Sequence, residues 1–289
     1  MKKGKKFPVM ENMTVKEVRE YLESKKSIII PIGVTEQHGY HLPLCTDALI
    51  ATHLAKMIGE QTETLAAPTF IQSFSGGGLP GTINISPAVM SLVMSDMLIS
   101  LVSQGFRNFY LLLCHGGSEN VRSLQDAIKI LLRTNPAFEN VMVMMCGIWD
   151  FPVESGFSDA FRNNDWHAGW LETSYMMALA PDLVQMDQLE LDEEHLLKLQ
   201  TEHPDNYQHA EKIVDDKFVI PRMRQRPDIK VGAMGDPKGA SVELGRKVVD
   251  GAVKAVSEKI MELESKADGV YKEIDFTPEP LIFDFLTNK

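Results

Sequence analysis

The stretch Ser27–Ala55, SIIIPIGVTEQHGYHLPLCTDALIATHLA, passes from an unbroken apolar run into a crowd of groups that ionise or bind metal. SIIIPIG reads as a buried strand, short and rich in β-branched residues. Glu36, His38, His41, Asp47 and His53 follow it within a few turns of chain. From Asp47 to Glu60, Leu49, Leu54, Met57 and Ile58 recur at helical spacing. A plain connection from a buried strand to a helix needs none of those polar groups, so their presence asks for a chemical reason.

The same rhythm extends in both directions. Upstream, Thr14 to Ser24 reads as a short helix, with Thr14 and Glu17 forming a capping-box pattern. Downstream, TETLAAPTF is a candidate second strand, and Pro87 to Gln104 a long helix with proline in its first turn. RNFYLLLCHGG is a third strand running into a glycine turn, followed by a helix from about Glu119 to Arg133. NVMVMMCGIW is a fourth strand. Strands alternating with helices in this way predict a parallel sheet covered on both faces. Beyond it, Phe151 to Asp165 reads as loop and Ala168 to Ala180 as helix. A polar excursion at about 182–230 shows little strand character, and Ser241 to Lys266 reads as a long amphipathic helix. The tail DFTPEPLIFDFLTNK carries Leu281, Ile282, Phe283 and Phe285, which need a surface to pack on. The expected organisation is one domain over residues 1–289, with the excursion carried on it.

Bulk properties narrow the function. The 289 residues are 44% hydrophobic and 24% charged, the make-up of a globular protein. A formal net charge of −11 argues against a nucleic-acid partner. The basic start MKKGKKFPVMEN has no apolar core and does not read as a secretion signal. No apolar run is expected to reach the roughly eighteen residues of a membrane span. The three cysteines, Cys45, Cys114 and Cys146, are an odd and thin supply for disulfides, which suits a reducing cytoplasm.

Four motifs carry possible chemistry. Glu36 and His38 stand two apart behind a strand, so in extended backbone both point the same way, and Asp47 opens the next helix. Ligands gather beyond the carboxyl ends of parallel strands, and carboxylate with imidazole is the donor set of a zinc- or manganese-type hydrolytic site. Taken singly, these residues also serve as turn caps and surface histidines; together, behind a buried strand, they favour the metal. In FYLLLCHGGSEN, His115 again ends a strand with a polar group, and Gly116 and Gly117 permit close backbone approach. Cys114 and His115 are strand neighbours facing opposite sides, which disfavours a Cys–His nucleophile. DWHAGWLETSYMMALAP puts His167 at a loop-to-helix junction and Glu172 inside the helix. FSGGGLPGTINIS satisfies G-x-G-x-x-G through Gly76, Gly78 and Gly81, but Pro80 lies inside it. The alternating TINIS then reads as strand where a dinucleotide loop needs a helix. A glycine-rich loop bordering the pocket is the better reading. In GAMGDPKGASVELGRK, Gly235 to Pro237 reads as a turn and Ser241 as the cap of the last helix.

These stretches together resemble the creatininase (creatinine amidohydrolase) family. GVTEQHGYHLPLCTDALIA, LPGTINIS, CHGGSEN and HAGWLETS with GDPKGAS match in order across roughly residues 27–250. The resemblance implies a three-layer α/β/α sandwich with a mainly parallel central sheet, commonly hexameric. It implies a two-metal site in which a metal-bridging hydroxide cleaves the C–N bond of a small cyclic amide, a formamide or a related compound. Carried over by position, Glu36, His38, Asp47 and His115 become metal ligands, with Asp47 bridging, and His167 becomes the proton shuttle. The fifth ligand is Glu172, with Glu119 as the alternative, since Gly117 stands where some members have a ligating glutamate. The implied cofactors are two divalent ions, zinc first, with manganese or iron as alternatives. The implied partners are a small-molecule amide and further copies of the chain, with no nucleic acid and no membrane. Several places depart from the family pattern: Leu113, Cys114, Ser118 and Gly76, and also Gly116, Asn163, Asn164 and Trp166 where creatinine-hydrolysing members differ. The metal chemistry reads as kept and the creatinine pocket as lost. The alternative from another class is a catalytically silent small-molecule binding protein on the same fold; a nucleotide module using Gly76 to Gly81 is disfavoured.

Overall fold

In a computed structural model, which describes residues 9–276, regular structure begins where the capping box predicts it. Thr14 and Glu17 cap α1 (Val15–Ser24) reciprocally. There follow β1 (Ser27–Ile32), α2 (Thr46–Thr62), β2 (Leu65–Ala66), α3 (Pro87–Gln104), β3 (Asn108–Leu113), α4 (Ser118–Thr134) and β4 (Met142–Gly147). The remaining elements are α5 (Phe157–Arg162), α6 (Trp170–Leu179), α7 (Glu194–Glu202), β5 (Gln208–Glu211), β6 (Arg222–Gln225) and α8 (Val242–Lys266). The apolar tail around Leu281 to Phe285 lies outside the described residues.

The four long-range strands pair in parallel in the order β2-β1-β3-β4. Alternation along each strand sorts the core into two layers. Ile28, Ile30, Ile32, Phe109, Leu111 and Leu113 face Met90, Met94 and Leu98 of α3 and Leu124 and Ile128 of α4. Ile29, Tyr110 and Leu112 face Ile50 and Leu54 of α2, Tyr175 of α6, and Val249 and Val253 of α8. The result is a helix–sheet–helix sandwich, as the sequence predicts. At the amino ends of the strands the Glu264 carboxylate of α8 accepts hydrogen bonds from Ser27, Asn108 and Tyr110, fixing the last helix to β1 and β3.

Several elements differ from expectation, each for a local reason. The second strand shrinks to two residues: Ala67 N and Phe70 N still donate to the Ile29 and Pro31 carbonyls, but Pro31 has no N–H to return to the segment. TINIS is extended but joins no sheet: Asn84 turns its amide onto Ser75, Gly76 and Gly77 instead. The loop from Phe151 contains the six-residue α5, held by the rings of Phe157 and Phe161. The polar excursion contains α7 and an antiparallel hairpin, β5 with β6. Its closing turn sits at Lys238–Gly239, not at Gly235. Helix α3 is, by length and composition, apolar enough to cross a membrane, contrary to the sequence expectation. One side of it packs on the sheet through Met90, Met94 and Leu98, while Val89, Leu92 and Ile99 are exposed.

The chain leaves β1 toward β2 on one side and β3 toward β4 on the other, so a crevice opens between the carboxyl ends of β1 and β3. That is the topological switch point, where doubly wound sheets take ligands. Gly33 brings α2 to the same place. A Cβ there would stand 2.5 Å from the backbone nitrogen of Ala48, so only glycine lets the first turn of α2 press against the end of β1. Gly33→Ala is expected to lower stability by about 1–3 kcal/mol, the usual cost of overpacking. Thermal unfolding checks this, and an unchanged midpoint would show that the contact yields freely.

Candidate metal centre

Asp47 lies in the first turn of α2, where the helix dipole favours an anion, but its carboxylate does not cap the helix. Each oxygen faces a different imidazole. Oδ1 is 3.0 Å from His38 Nε2, and Oδ2 is 3.1 Å from His115 Nδ1. Glu36 Oε2 lies 3.2 Å from the same His115 nitrogen. Glu172 Oε2, from the first turn of α6, lies 3.7 Å from His38 Nε2. Two groups of donors share Asp47, Glu36–Asp47–His115 and His38–Asp47–Glu172, and a third, Glu36–His38–His167, brings in the histidine just before α6.

Local structure aims each group. Glu36 and His38 leave β1 as expected, but they serve different sides of Asp47. Ser75 donates to Glu36 Oε1 at 2.6 Å, leaving Oε2 free to face His115. His38 Nδ1 donates to the Glu36 carbonyl at 3.1 Å, which leaves Nε2 available to a cation, a tautomer lock typical of metal-binding histidines. Gly117 makes room for the His115 ring, since a Cβ there would stand 2.6 Å from its Nε2. At Ala168 the backbone turns left-handed, φ 53°, and its N–H donates to Glu172 Oε2 at 2.6 Å. A non-glycine residue held there stores strain on the order of 1–2 kcal/mol, the kind found at functional sites.

The electrostatics point the same way. Burial disfavours the charged form of His38, but the Asp47 carboxylate outweighs it and pushes the ring up to about 10. His115, buried as well, is held well above its ordinary value by Glu36 and Asp47. Burial opposes the charge on Glu36, yet His115 and His167 bring it down to about 2; Asp47 is lowered too, chiefly by His38. Acids and imidazoles thus share a buried space that calls for added positive charge. Glu36 Oε2 and His115 Nε2 are buried without a hydrogen-bond partner. Donor spacings of 3.0–3.7 Å suit ligands sharing one ion, whose bonds are about 2.0–2.2 Å. The residues therefore fit divalent cations.

His167 sits just before α6, its ring centroid 4.2 Å from that of His38 and its Nδ1 3.9 Å from Glu172 Oε2. Glu119 is exposed at the cavity rim, bonded to Ser118, and belongs to none of these donor groups. His41 is buried but turns toward Thr173 at 2.9 Å; burial, with His38 and His167 nearby, lowers it to about 4. His53 stands apart on α2.

Sequence reasoning missed the walls. A cavity of about 320 Å³ opens over the cluster, near the small end of ligand pockets at ~300–1,000 Å³. Trp149, Phe157, Phe161 and Trp166 line one side as a continuous strip, with successive ring centroids 6.5, 5.3 and 5.0 Å apart. Glu119, Asp205 and Tyr207 stand in the lining too, and among the described lining residues there is no lysine or arginine. Asp165 was also missed. Burial raises it to about 7, it accepts from Leu171 N at the start of α6, and it fills the space a side chain at Gly169 or Gly235 would need. Only the aromatic residues around Trp166 gave any local hint.

Comparison with known proteins agrees with this geometry. The family model Creatininase (creatinine amidohydrolase) matches residues 11–260. Creatinine amidohydrolase of Pseudomonas putida is 28% identical over 250 residues, covering 81% of this chain and 88% of that protein. The mycofactocin precursor peptide peptidase of Mycolicibacterium smegmatis is 28% identical over 254 residues, covering 84% and 87%. A solved mutant creatininase of zinc–zinc type superposes with a TM-score of 0.69 at 23% identity, covering 89% of this chain and 98% of its own.

Glu172 and Glu119 are separable by metal analysis. Glu172→Ala is expected to lose one ion per chain, and Glu119→Ala to keep the wild-type content. The reverse result would move the fifth ligand to α4.

Proposed function

The chain belongs to the creatininase family of metal-dependent amidohydrolases, and from that premise we propose that it hydrolyses an amide C–N bond in a small, neutral or cationic, non-peptide molecule. Cyclic amides and formamides are the first candidates. One divalent ion would be held by Glu36, Asp47 and His115 and a second by His38, Asp47 and Glu172. Zinc is the first candidate and manganese or iron the alternatives. When bound, such a pair polarises an amide carbonyl and brings the pKa of water toward neutrality.

The observation that carries this reading is Asp47, buried with one oxygen toward each imidazole. The chain's own residues do the rest. Glu36 and Glu172 add negative charge that holds cations at the floor. His167, beside both His38 and Glu172, is placed to carry a proton to the departing amine nitrogen. The strip from Trp149 to Trp166 offers flat apolar surface for the acyl or amine portion and displaces water. Glu119 and Asp205 stand in a lining that has no lysine or arginine among the described residues, which disfavours anionic substrates.

The excursion at 182–230 belongs, in this proposal, to the same single domain, since Asp205 and Tyr207 help line the cavity. The free thiols of Cys45, Cys114 and Cys146 suit a reducing cytoplasm. The exposed apolar side of α3 suits further copies of the chain, hexameric by resemblance.

Creatinine is expected to be a poor substrate. Gly116 stands where creatinine-hydrolysing members carry an aromatic ring, and Trp149 packs 3.7 Å from where its Cβ would be. The experiment is a panel of metal-loaded wild type and His167→Ala against creatinine, cyclic amides, formamides and short peptides. The expected result is turnover of a non-peptide amide, with creatinine ~10²-fold or more worse in kcat/KM. His167→Ala should slow the best substrate ~10²–10⁴-fold while keeping its metal. Peptide cleavage alone, or creatinine turnover matching the best amide, would contradict the substrate reading.

A further inference from the structure

The glycine-rich loop and the polar excursion meet at a single atom. Gly76, one of the places where the resemblance to the family breaks, is left-handed, φ 90°. Asn84 Oδ1 holds it there, accepting from the backbone N–H groups of Ser75 and Gly76 at 3.0 and 2.9 Å. A Cβ on Gly76 would stand 2.5 Å from the Tyr207 hydroxyl oxygen and 3.8 Å from the ring carbon that carries it. The tyrosine oxygen therefore occupies the space that a side chain at 76 would take. That space borders the metal cluster. Ser75, the preceding residue, gives its own hydroxyl to Glu36, and Glu36 Oε1 lies 4.0 Å from where a Cβ of Gly77 would be.

The excursion fixes this tyrosine by its backbone and leaves its hydroxyl uncommitted. Tyr207 ends a short turn, Pro204–Tyr207. Its carbonyl accepts from Arg226 N at 2.9 Å and from the Gln225 side-chain amide at 3.2 Å. The oxygen of that same amide accepts from Gly78 N at 3.1 Å, so one side chain of β6 ties the tyrosine to the glycine loop. Three side-chain hydroxyls stand in the described lining of the cavity, those of Ser75, Ser118 and Tyr207. Ser75 donates to Glu36 at 2.6 Å and Ser118 to Glu119 at 3.0 Å. The Tyr207 hydroxyl has no hydrogen-bond partner among the described residues. The indoles add little: Trp166 donates its N–H to the Thr201 carbonyl at 2.9 Å, and Trp149 meets Gly116 with the carbon edge of its ring. A phenylalanine would pack the same ring without bringing an unpartnered oxygen into the cavity.

We propose that Tyr207 is a specificity-determining residue whose hydroxyl, seated in the space that Gly76 leaves, donates to an uncharged oxygen of the substrate remote from the scissile bond. This rests on the reading of the site as a metal-dependent amidohydrolase. The carboxylates around the cavity only accept, so the N–H and O–H groups of a bound molecule find partners more readily than its oxygens do. The scissile carbonyl belongs to the metal floor; a second oxygen has the Tyr207 hydroxyl as its donor. With no lysine or arginine in the described lining, that oxygen is a carbonyl or a hydroxyl and not a carboxylate. The substrate class narrows to amides that carry a second acceptor, such as diamides, imides and ureides. The excursion, which contributes no residue to the donor groups, acquires a part in the choice of substrate.

The test loads the full chain with cobalt(II), whose visible spectrum reports what binds beside it, and titrates two hydroxamates of matched shape. Succinamic hydroxamate carries a terminal amide; isocaproic hydroxamate has an isopropyl group in its place. The ratio of the two affinities, acceptor-bearing over apolar, should fall ~3–10-fold in Tyr207→Phe, the usual worth of one neutral hydrogen bond. Cobalt content and thermal midpoint should stay at wild-type values. Gly76→Ala, whose Cβ would displace the hydroxyl, should lower the same ratio. Its loss of thermal midpoint should be smaller in a Tyr207→Phe background, where the nearest ring carbon is 3.8 Å from that Cβ. Equal losses in the two backgrounds would overturn the proposal by removing the hydroxyl from Gly76. A cobalt-loaded wild type that binds neither probe would overturn it too, as would a ratio that survives in Tyr207→Phe, whether or not both probes weaken together. A wild type that takes up no cobalt would overturn the metal reading itself, and this proposal with it.

Discussion

Asp47 is the point on which the rest depends. It is one buried carboxylate whose two oxygens face two imidazoles from different strands. For that to occur, the end of β1, the start of α2 and the end of β3 must meet at one place. The parallel sheet with its reversal of strand order supplies the crevice. Gly33 supplies the close approach. Stability does not explain the arrangement, because buried ion pairs seldom repay their desolvation. Three acids and two imidazoles with unpartnered atoms among them are better explained by cations. The strained Ala168 fits the same account, since it points an N–H at Glu172.

Around that centre the chain divides its work. Strands and the two helix layers fix the metal-facing groups, which need the tightest placement. The loops after β4 and the excursion supply aromatic walls and a rim that carries carboxylates and, among the described residues, no lysine or arginine. Rigid floor and loop-built walls are the usual division between shared chemistry and particular substrate. It suits a chain whose buried donors cluster at the strand ends while its resemblance to the family breaks at Gly116, Asn163 and Asn164.

How much of this was legible in the sequence follows from the range of each contact. Strand β1, helix α3 and the capping box of α1 declare themselves through local periodicity and turn chemistry, and they stand where expected. Glu36, His38 and Asp47 could be read together because they are close in sequence behind a strand. His115 is far away in the chain, yet it ends a strand in the same manner. His167 and Glu172 were only ambiguous as local motifs, and it was resemblance that drew attention to them. Ser75 and Asp165 left no local trace, because each acts through partners that only the fold brings near. Proline at 31, which has no N–H to give the second strand, and the amide of Asn84 cut short strand pairing that hydrophobic alternation alone suggests.

The most direct test of the account is the metal content of Asp47→Ala against wild type, with each apoprotein titrated with zinc and with manganese and the bound ions counted. The account predicts two ions per chain in wild type and neither retained tightly in the variant, because one side chain serves both positions. Two tightly held ions in Asp47→Ala, or one ion retained with wild-type affinity, would contradict it.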